Sequence, residues 1–232
     1  TTATDDTVTD FGVDPARIRV VPLGVDTETF RPRGPRTPGR IVAVASADKP
    51  LKGVAHLLDA VAKLRVERDV ELQLVSDVEP DGPTARRIES LGLADCVTIH
   101  RNIESDAIAA LLASAEIMCV PSLYEGFSLP TVEAMSCATP VVASRAGAIP
   151  EVVGASDAGD ACAVLVEPGD AEGLAAALGE LFDDPDRLAA LGANGRERVL
   201  QHYSWPAVAA ATAAVYDEAI TAFAPARPQE EH

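Results

Sequence analysis

What most constrains this chain is the alternation of short apolar runs with helix-length segments along most of its 232 residues. Residues 41–45 (IVAVA) read as a strand, and 52–67 as a helix. In that helix Val54, Leu57, Leu58, Val61 and Leu64 fall at spacings of three and four, the mark of one buried face. Residues 70–75 (VELQLV) alternate as a strand does, and the turn at 80–83 (PDGP) precedes a helix over 84–91. The same reading gives strands at 96–100, 117–120, 140–143 and 164–166, with helices at 106–113 and 129–137. Strands alternating with helices make βαβ units, so the expected fold is α/β, a parallel sheet with helices on both faces. From 171 to 222 the pattern turns purely helical and alanine-rich, an all-helical C-terminal extension with Asp184 and Ser204 as expected helix caps. Residues 31–40 (RPRGPRTPGR) read as a linker-like loop, and 223–232 as a disordered tail.

Charge narrows the function classes. Asp and Glu number 36 against 19 Lys and Arg, a net charge of -17. A nucleic-acid partner needs clustered cations to neutralise phosphates, and an anionic membrane surface needs the same, so both are disfavoured. Cys96, Cys119, Cys137 and Cys162 include no C-x-x-C pair, which argues against a zinc or redox site. Cys96 and Cys119 lie in apolar stretches and read as buried thiols. The first residues lack the basic and apolar regions of a signal peptide, and no run reaches the roughly 18 apolar residues of a membrane span. A cytoplasmic protein without a transmembrane segment is expected; a longer enzyme attached peripherally to a membrane is compatible with this.

In open parallel sheets ligands bind beyond the C-terminal strand ends. Two strand-to-helix loops stand out there. The first, 46–53 (SADKPLKG), carries Lys49 and Lys52, two of only three lysines in the chain. A lysine at a helix start opposes the macrodipole, and an anion held between the two resolves the conflict. A solvated loop lysine is the alternative for each. The second loop, 121–133 (PSLYEGFSLPTVE), opens a helix. Gly126 permits a tight turn, Ser128 and Leu129 sit where main-chain N–H groups lack partners, and Pro130 suits the first helical turn. Glu125 and Glu133 stand eight positions apart and are expected to face one crevice, with a solvated helix residue as the alternative for Glu133.

The E-x7-E arrangement inside PSLYEGFSLPTVEAM resembles the signature of retaining glycosyltransferases of the GT-B fold, family 4. VVPLGVDTETFRP, PLKG, TPVVASRAGAIPEVV and AVLVEPGDAEGLAAAL are similar to further stretches of that family, in the family's order. The resemblance covers residues 12 to about 220. It implies a Rossmann-like donor-binding domain over 31–222, the C-terminal half of a GT-B enzyme, with 1–30 as the connection entering it. The donor would be a UDP- or GDP-sugar, taken without a metal or other cofactor, and the acceptor would bind mainly to an N-terminal domain not included here. Lys52 would pair with the diphosphate and Glu125 would contact the donor sugar near its anomeric carbon. Main-chain amides of Gly126, Phe127, Ser128 and Leu129 would hold sugar and phosphate, and Glu133 would accept from the ribose hydroxyls. Residues 100–102 fall where the family binds the base, which makes Arg101 a candidate contact, although a plain loop arginine fits equally. The family's usual Arg before the Lys-Gly turn is missing from 45–48 (ASAD), so Lys49 or the Ser46 hydroxyl would stand in. Ala148 and Ala163 replace glycines common in the family. The isolated chain is expected to bind nucleotide without transferring sugar. Two other classes share this alternation: a non-catalytic nucleotide-binding module of Rossmann type, and a GT-B nucleotide-sugar epimerase. A dinucleotide enzyme is disfavoured, since no G-x-G-x-x-G follows the first strand.

Overall fold

The structure, a computed structural model, describes residues 8, 10–154 and 160–223. Six strands form one sheet: β1 (Arg40–Val44), β2 (Glu71–Val75), β3 (Val97–His100), β4 (Ile117–Val120), β5 (Val141–Ser144) and β6 (Ala163–Val166). All neighbours pair in parallel, in the order β3-β2-β1-β4-β5-β6. The crossovers carry α1 (Val54–Leu64), α2 (Pro83–Ser90), α3 (Ser105–Ser114), α4 (Leu129–Ser136) and α5 (Ile149–Val153). Helices α6 (Ala171–Phe182), α7 (Pro185–His202) and α8 (Trp205–Phe223) follow.

Period-two alternation divides the core into two layers. Ile41 and Ala43 of β1, Leu72 and Leu74 of β2, and Ile117 and Cys119 of β4 face α1 and α6, where Leu57, Leu58, Leu174, Leu178 and Leu181 close over them. Val42, Met118, Val120, Val141 and Ala143 point the other way, into a layer with Leu112, Val132, Met135, Ile149 and Val199. Both faces are therefore dry, which explains why the central strands read as continuous apolar runs.

The boundaries agree with the sequence reading to within about three residues, and the differences have local causes. Gly53 adopts a left-handed φ of 64°, so α1 starts only after a short 3-10 turn over Pro50–Lys52. The five-residue α5 has no expectation to match; a helix of barely more than one turn leaves no periodicity to read. Two of the three helices expected as an extension are layers of the fold: α6 covers β6 and α1, and α7 packs on α4. Only α8 stands largely exposed, with Trp205, Tyr216 and Ile220 more than half accessible. Both expected caps form: Asp184 accepts from the Arg187 N–H at 2.9 Å, and the Ser204 hydroxyl from the Ala207 N–H at 3.3 Å. The arginine-rich entry loop is pinned rather than free. Arg36 donates to the carbonyls of Ala115, at 2.9 Å, and Ala138, while Val25 and Phe30 lie in the core. Cys96 is half-buried, not buried as expected, because it sits just before the edge strand β3; Cys119, Cys137 and Cys162 are buried. Of the expected tail, residues 224–232 lie outside the described residues.

Candidate functional site

Strand order reverses between β1 and β4, and a cavity of about 730 Å³ opens at the strand ends beside that junction. Its wall includes Ser46, Lys49 and Lys52 from the loop after β1, and Ser76 and Asp77 after β2. His100, Asn102 and Ile103 come from the end of β3, and Pro130 from the first turn of α4. Three acids share the wall, Asp48, Asp77 and Glu79, so the lysines do not form an uninterrupted positive island. Asp48 is tied into the structure: it accepts from the main-chain N–H groups of Glu79, at 2.9 Å, and Thr84, at 3.1 Å. Burial opposes its ionisation, but those hydrogen bonds win and hold its carboxyl below the usual carboxylate range.

Two loops distant in sequence are clamped together at the cavity rim. The Leu123 N–H donates to the Leu51 carbonyl at 2.8 Å, and Gly53 sits so tightly on Pro121 that an added Cβ would lie 1.9 Å from its carbonyl oxygen. This approach lets the Lys52 ammonium donate to Glu125 Oε1 at 2.8 Å. The Ser122 hydroxyl, on a buried residue, donates to the same oxygen at 2.8 Å, and this partner went unnoticed in the sequence. Its only signal was its position three residues before Glu125. The backbone of the Glu125 loop is fixed from behind, where its carbonyl accepts from the Ala148 N–H at 2.8 Å. Ala148 therefore donates where its replaced glycine would also have donated, and the left-handed Gly147 supplies the close approach. Replacing Gly53 by alanine combines backbone strain with the clash on Pro121 and is expected to destabilise the fold by more than about 3 kcal/mol. Gly126, where an added Cβ meets open space, is the control. Its alanine variant should lose less than about 1 kcal/mol in the same denaturant titration.

The loop enters α4 through Ser128, which has a left-handed φ of 70°. The Ser128 hydroxyl pairs with that of Thr131 at 2.6 Å and makes no side-chain cap; the Thr131 N–H donates to the Ser128 carbonyl at 3.1 Å. Leu129 lies exposed at this helix start. Glu133, one turn on, is partly buried in a helix whose Val132, Ala134 and Met135 are buried, and its carboxyl has no hydrogen bond or ion pair among the described residues. Burial pushes its carboxyl up to about 7.

Not every candidate lines the same space. Ser46, Lys49 and Lys52 do; Glu125 reaches the cavity through Lys52, and Glu133 is absent from the wall. Gly126 and Phe127 line a separate cavity of about 510 Å³ with Tyr203 and Val20 to Leu23, and Phe127 packs edge-on against Tyr203 at 5.7 Å. Arg101 is not among the residues of the cavity wall; its guanidinium donates to the Val78 carbonyl at 2.8 Å, bracing the loop after β2. Of the two readings of Arg101, this geometry matches the loop arginine.

Residues 38–184 match the family described as glycosyl transferases group 1. The chain belongs to that family. It is 59% identical over 215 residues to the MMP alpha-(1->4)-mannosyltransferase of Mycolicibacterium hassiacum, covering 93% of this chain and 52% of that protein. Among solved structures it resembles sucrose-phosphate synthase from Thermosynechococcus elongatus, with 30% identity and a TM-score of 0.79 over 96% of this chain and 58% of the other. Anabaena HepE in complex with UDP shares the fold, with 21% identity and a TM-score of 0.78 over 95% of this chain and 62% of the other. These neighbours agree with the Rossmann-like GT-B architecture of this group 1 glycosyltransferase domain. The chain spans about half the length of the curated relatives it matches. Among the described residues no helix is long and apolar enough to cross a membrane, and no group of three or more His, Cys, Asp or Glu side chains is placed to hold a metal ion.

Proposed function

We propose that this chain is the donor-binding half of a retaining glycosyltransferase of family 4 type, taking a hexose from a UDP- or GDP-sugar. The observation that carries the reading is the Lys52–Glu125 pair, set beside an uncapped helix start at the strand-end cavity. An ammonium has three N–H groups, and Glu125 engages one of them, leaving donors for a diphosphate. The amides of Gly126, Phe127, Ser128 and Leu129 supply further donors at the positive end of α4, where charge develops as the diphosphate leaves. Glu125, fixed by Ser122 and Lys52, orients the sugar and stabilises positive charge at its anomeric carbon. The departing phosphate oxygen takes the acceptor proton on the same face, which keeps the anomeric configuration. Glu133 receives the ribose hydroxyls, Ser46 and Lys49 flank the diphosphate, and neutralisation rests on these groups without a metal.

Similarity to an alpha-mannosyltransferase makes mannose the first sugar to try. An α-linked product from an α-linked donor is net retention. The acceptor is held mainly by protein outside this chain, so the chain alone binds donor but does not transfer. Isothermal titration of the 232-residue chain with UDP, GDP and their hexose conjugates tests this. Saturable binding of at least one nucleotide is expected, and no binding of any overturns the reading.

A further inference from the structure

Two donors meet on one oxygen of Glu125. Lys52 Nζ and the Ser122 hydroxyl each lie 2.8 Å from Oε1, and Oε2 has no partner among the described residues. The two donors are mounted differently. Ser122 is 2% exposed and stands two residues past the end of β4, between the main-chain contacts that clamp the loops. On one side Pro121 lies under Gly53, and on the other the Leu123 N–H donates to the Leu51 carbonyl. A serine hydroxyl has one carbon between it and that fixed backbone, so holding Glu125 costs it little ordering. The Lys52 ammonium ends a flexible four-carbon stem, its side chain is 34% exposed, and it lines the strand-end cavity; Ser122 is absent from that wall.

That difference decides what happens when a donor arrives. A diphosphate carries more negative charge than one carboxylate, so a mobile ammonium between the two moves toward the diphosphate. We propose that Ser122, not Lys52, holds Glu125 once the donor is bound. The inference rests on the nucleotide-sugar reading of the cavity and on Glu125 as the group that meets the sugar. Lys52 pairs with Glu125 in the empty site and passes to the diphosphate in the loaded one. Oε1 then keeps the buried hydroxyl as its donor, and Oε2, an acceptor with free lone pairs, stays presented to a sugar hydroxyl. Without that hydroxyl the carboxylate has no fixed partner after the lysine leaves; it follows the ammonium toward the phosphates or turns Oε2 away from the sugar. Ser122 is the positioning residue of the sugar end of the site, and it acts only through Glu125.

Titration calorimetry of the 232-residue chain with UDP, GDP and their mannose and glucose conjugates tests this, on the unmodified chain, Ser122→Ala, Glu125→Ala and the double variant. In Ser122→Ala the conjugate that binds the unmodified chain should weaken at least about tenfold, which is about 1.4 kcal/mol, while its parent nucleotide changes less than about threefold. In the Glu125→Ala background the same serine substitution should cost the conjugate less than about twofold, because nothing is left to position. A merely structural serine would weaken nucleotide and conjugate alike, or weaken the conjugate whether or not Glu125 is present. Either result overturns the inference and leaves the nucleotide-sugar reading intact, as does a conjugate affinity unchanged in Ser122→Ala. Conjugates that fail to bind the unmodified chain while UDP or GDP binds overturn it too. Should Ser122→Ala fail to fold, Ser122→Cys decides. It keeps the shape with a weaker donor and should weaken the conjugate at least about threefold with the nucleotide unchanged, and an unchanged conjugate overturns the inference. No binding of any nucleotide to the unmodified chain overturns both.

Discussion

Lys52→Ala is expected to weaken UDP or GDP binding by about thirty- to a hundredfold, and Lys49→Ala by less than about threefold. A charge-assisted hydrogen bond contributes about 1.5–3 kcal/mol, which by itself covers a factor of about ten to a hundred and fifty. Position separates the two lysines. Lys52 is held by the turn into Gly53 and by Glu125, whereas Lys49 is exposed and its side chain makes no hydrogen bond or ion pair among the described residues. Losing Lys52 does more than remove a cation: it leaves the Glu125 carboxylate facing an incoming diphosphate, and two anions then share a partly enclosed site. The double variant Lys52→Ala with Glu125→Gln should therefore bind nucleotide more tightly than Lys52→Ala alone, although Glu125→Gln alone should bind less sugar nucleotide than the unmodified chain. Titration calorimetry of the four proteins measures the coupling. Equal dissociation constants for Lys52→Ala and the unmodified chain remove Lys52 from the phosphate site.

That coupling also marks where sequence reading stops. The sheet was legible because its strands are short, mostly apolar runs, and β4 at 117–120, buried throughout, matches the expected run residue for residue. Lys52 was legible because its charge opposes both the acidic background and the helix start. Its pairing with Glu125 was not, since the two are 73 residues apart and meet only through the Gly53–Pro121 contact and the Leu51–Leu123 hydrogen bond. Arg101 was ambiguous for the same reason: the Val78 carbonyl that takes its guanidinium belongs to another strand's loop. Local pattern specifies elements and their faces. Which side chains meet across a sheet edge depends on loop-to-loop approach, and that is written in backbone contacts no periodicity reveals.

Glu133→Gln is expected to stabilise the protein at pH 8 by about 2 kcal/mol while weakening nucleotide binding about tenfold. The buried carboxyl has a folded pKa of about 7 against an ordinary 4.5, so the folded state binds the proton more tightly than the unfolded one. Stability linked to this group is full below the ordinary value and is lost as pH rises from about 4.5 to 7. The full shift amounts to about 3 kcal/mol, and partial solvent access reduces it. Glutamine keeps the shape without the charge, so the variant should match the unmodified chain near pH 4 and melt roughly 4–8 °C higher at pH 8. Binding runs the other way. An ionised carboxylate would accept both ribose hydroxyls, so the affinity of the unmodified chain for UDP or GDP should rise more steeply through pH 7 than that of the glutamine variant, whose rise reflects only ionisation of the terminal phosphate near about pH 6. A 2′-deoxynucleotide should lose most of the difference between the two proteins. Thermal melts and titrations at pH 4, 6 and 8 read both slopes, and a variant less stable than the unmodified chain at pH 8 contradicts the buried-charge account. Both slopes together would mark Glu133 as a group held for its ligand, because packing alone gives no reason for a buried carboxylate that destabilises the empty fold.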